Sequence, residues 1–113
     1  MKKISLLLFL FINSLFAEIV WLDEAHVRLN WEEAMQYCKK HNAKLPSKKV
    51  FTELWIKNNR ASDIEGFNLS VSYWTSDEVK DNKLAAYPFY FMIGRDTWYY
   101  KNDRYGVRCI QEK

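Results

Sequence analysis

The sequence predicts an α+β domain, and two observations carry that prediction. Two segments with a helical spacing of apolar residues, each preceded by a capping residue, occupy the first half of the chain. From about Arg60 onward, turn residues alternate with short runs that are rich in aromatic and β-branched residues. Helices first and strands afterwards are typical of helices packed on a small twisted antiparallel sheet.

The first helix begins after Asn30, because Glu33 stands three residues later and completes a capping box. The apolar residues of its inner face are Trp31, Ala34, Met35 and Cys38. We therefore expect Cys38 to point into the core.

The second helix runs from about Lys48 to Lys57, with Ser47 as its N-cap. Its apolar stripe consists of Val50, Phe51, Leu54 and Trp55. Four runs follow it: "VSYWTS", "AAYPFYFMIG", "TWYYK" and "YGVRCI". Each run predicts a strand of about four to seven residues, which is the usual length of a strand.

Residues 1–17 have the pattern of a secretory signal peptide. Lys2 and Lys3 precede an apolar run from Ile4 to Ile12, and Ala17 offers the small side chain that cleavage needs. The alternative, a retained membrane anchor, would need roughly 20 apolar residues. We expect cleavage to leave residues 18–113 as one exported domain, in the periplasm or outside the cell. Loss of two lysines changes the formal net charge from +3 to +1 (3 − 2), so the composition does not indicate nucleic acid binding.

The chain has two cysteines, Cys38 and Cys109. An exported protein meets oxidising surroundings, so we expect them to pair. A bridge that closes so long a loop would stabilise the fold by about 4 kcal/mol.

Several short motifs occur in an order that resembles the Lcl C-terminal domain family of bacterial exported modules. They are "VWLD", then Trp31, Ala34 and Cys38 spaced W-x-x-A-x-x-x-C, then "KLPS" before a helix with Glu53 and Leu54, then "YWTS" and "YGVRCI". That family lies within the formylglycine-generating-enzyme and C-type-lectin-like group.

The resemblance implies a C-type-lectin-like fold, in which a cysteine of the first helix pairs with one on the last strand. Cys38 and Cys109 occupy those places. The named member of the family is a surface adhesin whose C-terminal domain binds sulfated glycosaminoglycans and forms a trimer. The resemblance therefore implies adhesion and glycan recognition.

The sequence offers little for metal binding or catalysis. The Glu-Pro-Asn, Gln-Pro-Asp and Trp-Asn-Asp motifs of calcium-dependent lectins are absent, and the acidic turns "SDEVKDN" and "KNDR" are typical of solvated loops. Cys38 and His41 have the spacing of a nucleophile pair, but a disulfide would remove the thiolate. His26 and His41 lack a third zinc ligand. We predict no catalytic residue, no metal and no cofactor.

Aromatic residues make up 17% of the chain and are dense in its last third. We expect Trp74, Phe89 and Phe91 to fill the core, because one face of each strand must be buried. Neighbours such as Tyr99 and Tyr100 cannot share a face, so some rings must lie on the other side of the sheet.

Cations are interleaved with these rings and predict a binding surface. Its residues are Arg95, Trp98, Tyr100, Lys101 and Arg104. An arginine fork holds a sulfate or carboxylate in two places, which suits an acidic glycan. The alternative is that Asp96 and Asp103 neutralise the cations in ordinary surface pairs.

Two other basic features have a structural interpretation. Arg108 lies beside Cys109, and we expect it to be structural and to pair with Glu53. A second basic group surrounds the junction of the two helices and is typical of solvated helix ends. It consists of Lys39, Lys40, Lys44, Lys48 and Lys49.

Three functions are compatible with these observations. The first is an exported, non-catalytic module that binds an acidic or sulfated glycan. The second is an interaction module for another envelope protein, and the third is a minimal enzyme of the formylglycine-generating type. The sequence leaves the oligomeric state open.

Overall fold

The computed structural model describes residues 18–60 and 64–113. The segment predicted as a signal peptide, residues 1–17, lies outside the described residues. The elements in chain order are β1 (Ile19–Trp21), α1 (Trp31–Lys40), α2 (Lys48–Lys57), β2 (Tyr73–Glu78), β3 (Ala85–Tyr90), β4 (Arg95–Asp96), β5 (Tyr99–Tyr100) and β6 (Ile110–Glu112). No helix in the described ranges is long and apolar enough to cross a membrane.

Local capping fixes where both helices begin. At α1 the Asn30 side chain accepts the Glu33 N–H at 2.9 Å, and the Glu33 carboxylate accepts the Asn30 N–H at 3.0 Å. At α2 the Ser47 hydroxyl accepts the Val50 N–H at 3.2 Å. Both predicted starts are confirmed, because these contacts satisfy N–H groups that have no partner within the helix.

The strands form two antiparallel sheets. β1 pairs with β6, and Glu18 and Lys113 exchange backbone hydrogen bonds of 2.8 and 2.9 Å beside them, so the two ends of the described chain meet. The other sheet has β3 in the centre, with β2 on one side and β4 and β5 on the other. The predicted α+β class is confirmed.

Two of the predicted strands are shorter than expected, and Pro88 accounts for one of them. The pairs Ala86 with Tyr99 and Phe89 with Asp96 keep a single register, which places Pro88 opposite Thr97. Pro88 has no N–H to donate across this gap. The run "TWYYK" therefore pairs only in its last part, as β5, and β4 precedes the gap.

The second strand that is shorter than predicted is that of "YGVRCI", in which residues 105–109 do not form a regular strand. The backbone of this segment makes only isolated bonds: Ala25 donates to the Val107 carbonyl at 3.0 Å and Leu22 to the Cys109 carbonyl at 2.9 Å. Trp74 of β2 donates to the Gly106 carbonyl at 3.0 Å. The regular strand β6 begins only at Ile110.

The buried residues form two clusters, one against each helix. The first joins Trp31 and Cys38 of α1 to Trp74 and Cys109, and the second surrounds Phe51 of α2. Trp74, Phe89 and Phe91 are completely buried, as predicted. Cys38 and Cys109 form the expected disulfide, with an S–S distance of 2.09 Å.

Arg108 is structural, but its partner is not Glu53. Its guanidinium donates to the Gly66 carbonyl and lies 4.4 Å from the centre of the Phe67 ring. Burial lowers the pKa of Arg108, while the nearby Tyr73 hydroxyl and Glu24 oppose this shift. The prediction of an Arg108–Glu53 pair is wrong because Glu53 lies on the outer side of α2, in a groove beside β1.

Candidate functional site

The outer edge of the larger sheet carries three consecutive exposed rings. Trp98, Tyr99 and Tyr100 are 45%, 42% and 53% exposed. They lie on and beside β5, whose only strand partner among the described residues is β3. Because side chains alternate along a strand, the three rings project from both faces of this edge.

One face of the edge carries a cation, a hydroxyl and a ring in a row. Arg95, Thr97 and Tyr99 are spaced two residues apart and, with Pro88 and Tyr90, line a recess of about 60 Å³. The gap opposite Pro88 lies in the middle of this row. The row therefore combines a guanidinium, a hydroxyl and an aromatic face on one exposed surface.

The Tyr99 ring packs on other aromatic rings of the domain. Its ring centre lies 5.3 Å from that of Tyr105, and Tyr105 packs edge-on against the buried Trp74 at 5.0 Å. Burial, together with Asp103 and Tyr99, raises the pKa of Tyr105 to about 12. Tyr105 is therefore a neutral support for Tyr99.

The other face carries Trp98 and Tyr100. Their ring centres are 5.4 Å apart and their planes cross at 82°. Tyr100 also lines a recess of about 250 Å³ with Glu32, Leu84 and Lys101. The predicted residues Trp98 and Tyr100 are thus brought together, but on the face opposite Arg95.

Lys101 is occupied by contacts within the domain. Its ammonium group lies 2.7 Å from Glu78 and 4.3 Å from the centre of the Trp31 ring, and its side chain is only 13% exposed. No local sequence pattern indicates the contact between Lys101 and Glu78, because Glu78 lies in another strand. Lys101 therefore fixes the turn after β5 to α1.

Arg95 and Arg104 are exposed, and neither makes an ion pair with a described side chain of residues 18–60 and 64–113, among which that of Asp96 is not included. The alternative in which Asp103 neutralises Arg104 is accordingly not observed among these residues. Arg95 lies in the row described above, and Arg104 lies in the turn before Tyr105. Both guanidinium groups are accessible to an anion.

Tyr99 was missed by the sequence interpretation, although it lies in the same row as Arg95. The signal that would have found it is the alternation of side chains. Arg95, Thr97 and Tyr99 differ by two residues and share a face, whereas Arg95 and Trp98 do not.

The other candidate sites are a nucleophile pair of Cys38 and His41 and a metal site. Both cysteines of the chain are in the disulfide, so Cys38 offers no thiol to His41. The His41 ring hydrogen-bonds to the Tyr37 carbonyl at 2.9 Å. Within the described part of the chain, no three His, Cys, Asp or Glu side chains are placed to hold a metal ion.

The second basic group is partly engaged. Lys44 pairs with Glu112 at 2.8 Å, and the ammonium group of Lys48 lies 4.1 Å from the centre of the Tyr87 ring. Lys39, Lys40 and Lys49 are exposed. The lysines are therefore spread over several contacts and do not enclose a site.

Comparison with solved structures supports the fold. The chain is similar to TC14, a C-type lectin from the tunicate Polyandrocarpa misakiensis, with a TM-score of 0.59 and 13% sequence identity. The match covers 85% of this chain and 99% of the lectin chain. At this identity the similarity shows the fold alone, and it confirms the predicted C-type-lectin-like architecture.

Comparison with known sequences places the chain in a family. No curated protein matches it. The model of a family described as a domain of unknown function, DUF8780, matches residues 21–111, which is nearly all of the described chain. The protein therefore belongs to the DUF8780 family.

Proposed function

We propose that the protein is an exported, non-catalytic recognition module that binds an acidic or sulfated glycan at the open edge formed by residues 95–100. The observation that carries the proposal is the row of Arg95, Thr97 and Tyr99 on one exposed face. The C-type-lectin-like fold and the disulfide, which suits an oxidising compartment, support it.

Each residue of the row has a chemical role. The Arg95 guanidinium donates two parallel hydrogen bonds to a sulfate or carboxylate. The Tyr99 ring stacks on the apolar face of a sugar at low entropic cost, since its position is already fixed by Tyr105. The Thr97 hydroxyl donates to or accepts from a sugar hydroxyl between them.

The remaining predicted residues contribute from the flanks. Trp98 and Tyr100 offer a second aromatic surface on the other face of the edge. Arg104 adds a cation in the following turn, whereas Lys101 holds that turn in place through Glu78. A ligand that uses both faces must extend around the edge, which favours an oligosaccharide over a single sugar.

Heparin chromatography tests this proposal, with a salt gradient as the readout. Because ionic contacts are screened by salt, retention should weaken steeply as the salt concentration rises. Arg95→Ala combined with Arg104→Ala should lower the eluting salt concentration more than Lys40→Ala combined with Lys49→Ala, which removes the same charge. Equal shifts for the two double variants would overturn the proposed site.

A second function, binding to another envelope protein, is favoured by one observation. Met92 is 53% exposed in the turn before Arg95, and its apolar side chain lies outside the recess that Arg95, Thr97 and Tyr99 line. Met92→Ser should reduce capture of a stoichiometric partner from envelope extract without lowering heparin retention. Loss of heparin retention in that variant would argue for a single glycan site.

A further inference from the structure

The small sheet of β1 and β6 has an unpaired outer edge. Glu18 and Leu22 bond across to β6, so the backbone groups of alternate residues on β1 face β6. The backbone N–H and C=O groups of Ile19 and Trp21 must then face away from β6. On the opposite strand the N–H and C=O of Ile110, the register partner of Trp21, are both bonded to Lys44.

Within the described residues, no backbone hydrogen bond reaches Ile19 or Trp21 from that outer side. An open strand edge is a template for pairing with another strand. Ile19 is also 37% exposed, although it is apolar and belongs to a strand.

A groove of about 500 Å³ runs beside this edge, between β1 and α2. Its apolar surface comes from Ile19, Trp21, Val50 and Leu54. Two oppositely charged side chains of α2, Glu53 and Lys57, line it one helical turn apart. The groove thus joins an unpaired strand edge to an apolar surface with two acids, Glu18 and Glu53, and one base, Lys57.

We propose that this edge binds a second copy of the same chain, with β1 antiparallel to the partner's β1 about a twofold axis through Val20. In that register Ile19 lies opposite the partner's Trp21, and Trp21 lies opposite the partner's Ile19. Each residue offers one outward N–H and one outward C=O. The two pairs therefore form two hydrogen bonds each, and every outward group of the strand is satisfied.

The charges of the groove favour a second copy over an unrelated strand. A twofold axis at β1 brings the same groove of both copies together, so a contact between Glu53 of one copy and Lys57 of the other occurs twice. The same two side chains then form reciprocal ion pairs across the axis, as an isologous interface requires. An unrelated strand would bond to the outward N–H and C=O groups of β1, but it would not supply partners for both Glu53 and Lys57.

Sedimentation velocity over a concentration series tests the proposal on the purified protein, and dimers should form reversibly. Ile19→Pro removes the outward N–H but not the hydrogen bonds to β6. It should raise the dimer dissociation constant by at least about tenfold, because two of the four inter-strand bonds lose their donor.

Charge reversal provides the second arm. Glu53→Lys and Lys57→Glu should each weaken the dimer by about threefold or more, and the combined swap should restore it, because the reciprocal pairs reform. Lys49→Glu, an exposed reversal on the same helix outside the groove, is the matched control.

A wild-type protein that stays monomeric throughout the series would overturn the proposal. So would a dimer that is unchanged by Ile19→Pro or by Lys57→Glu, because its interface would lie elsewhere. Circular dichroism of each variant checks the fold, and if Ile19→Pro fails to fold, the single reversals and their combined swap decide the outcome.

Discussion

The ring of Trp55 occupies the space that a side chain at Gly94 would need: a β-carbon there would lie 2.0 Å from the ring. Gly94 also has φ of +63°, in the left-handed region that favours glycine. The contact joins α2 to the turn between β3 and β4, immediately before Arg95. The position of the first residue of the candidate site therefore depends on a helix of the core.

Gly94→Ala should lower the free energy of unfolding by about 3 kcal/mol, because the new methyl group displaces Trp55 in addition to straining the backbone. Gly66→Ala is the matched control: its φ is +86°, but the nearest atom to an added β-carbon is 3.6 Å away. That variant should lose only about 1 kcal/mol. Urea unfolding measures both, and equal losses would show that Trp55 moves aside at no cost.

Reduction of the Cys38–Cys109 disulfide should lower the free energy of unfolding by about 4 kcal/mol, because it releases a loop with a sequence separation of 71 residues in the unfolded chain. Urea unfolding with and without a thiol reductant measures the effect. The variant Cys38→Ala with Cys109→Ala is the control, and it should be insensitive to the reductant. A reduced protein as stable as the oxidised one would contradict the entropic account.

The features that the sequence predicted correctly depend on near neighbours along the chain. The capping box of Asn30 and Glu33 spans three residues, and the start of α2 depends on Ser47 and Val50. Such contacts form whatever the rest of the fold does. The disulfide was predictable for another reason, since the chain has only two cysteines and they had one possible pairing.

The details of the candidate site depend instead on contacts between distant segments. The partner of Lys101 lies 23 residues earlier, and the carbonyl that accepts from Arg108 lies 42 residues earlier. Alternation along the chain separates Arg95 from Trp98, but it applies across the gap opposite Pro88 only because β4 and β5 keep a single register on β3. No local pattern specifies that register.

Lys101→Met should lower the free energy of unfolding by about 1 kcal/mol, because it removes the contacts with Glu78 and with the Trp31 ring. Its heparin retention should fall no more than that of Lys80→Met, which removes the same charge from an exposed side chain. Urea unfolding and the eluting salt concentration are the two measurements. A much larger fall in retention for Lys101→Met would return Lys101 to the binding site.

Stability should fall as the pH rises above 10, and Tyr105 should contribute to the fall. Burial raises the pKa of Tyr105 from 10.0 to about 12, so the folded state keeps the phenol proton that the unfolded state has already lost. The contribution of the Tyr105 phenol to the free energy of unfolding is complete below pH 10, and it is lost as the pH rises towards 12. Burial and the hydrogen bond to Glu24 raise the pKa of Tyr73 in the same direction.

Urea unfolding of wild type and Tyr105→Phe at several alkaline pH values tests this. The phenylalanine variant has no proton to lose at this position, so its stability should decline less steeply with pH. An identical decline in both proteins would show that Tyr105 does not titrate differently in the folded state.

Pro88→Val should close the gap between β4 and β5. Valine suits a strand and supplies an N–H opposite Thr97, where proline has none. Amide hydrogen exchange of Thr97 should slow by about fivefold, because its N–H can then donate to the carbonyl of residue 88, whereas that of Trp98, whose N–H faces away from β3, should not change. Pro46→Val, which lies outside the sheet before α2, should leave these two amides unchanged.

The same variant separates two contributions to glycan binding. If the gap holds Arg95, Thr97 and Tyr99 apart at a spacing that suits a sugar, Pro88→Val should reduce heparin retention although every cation remains. Unchanged retention together with slower exchange would mean that charge alone produces the binding. Fast exchange that persists in Pro88→Val would show that the missing N–H is not the cause of the gap.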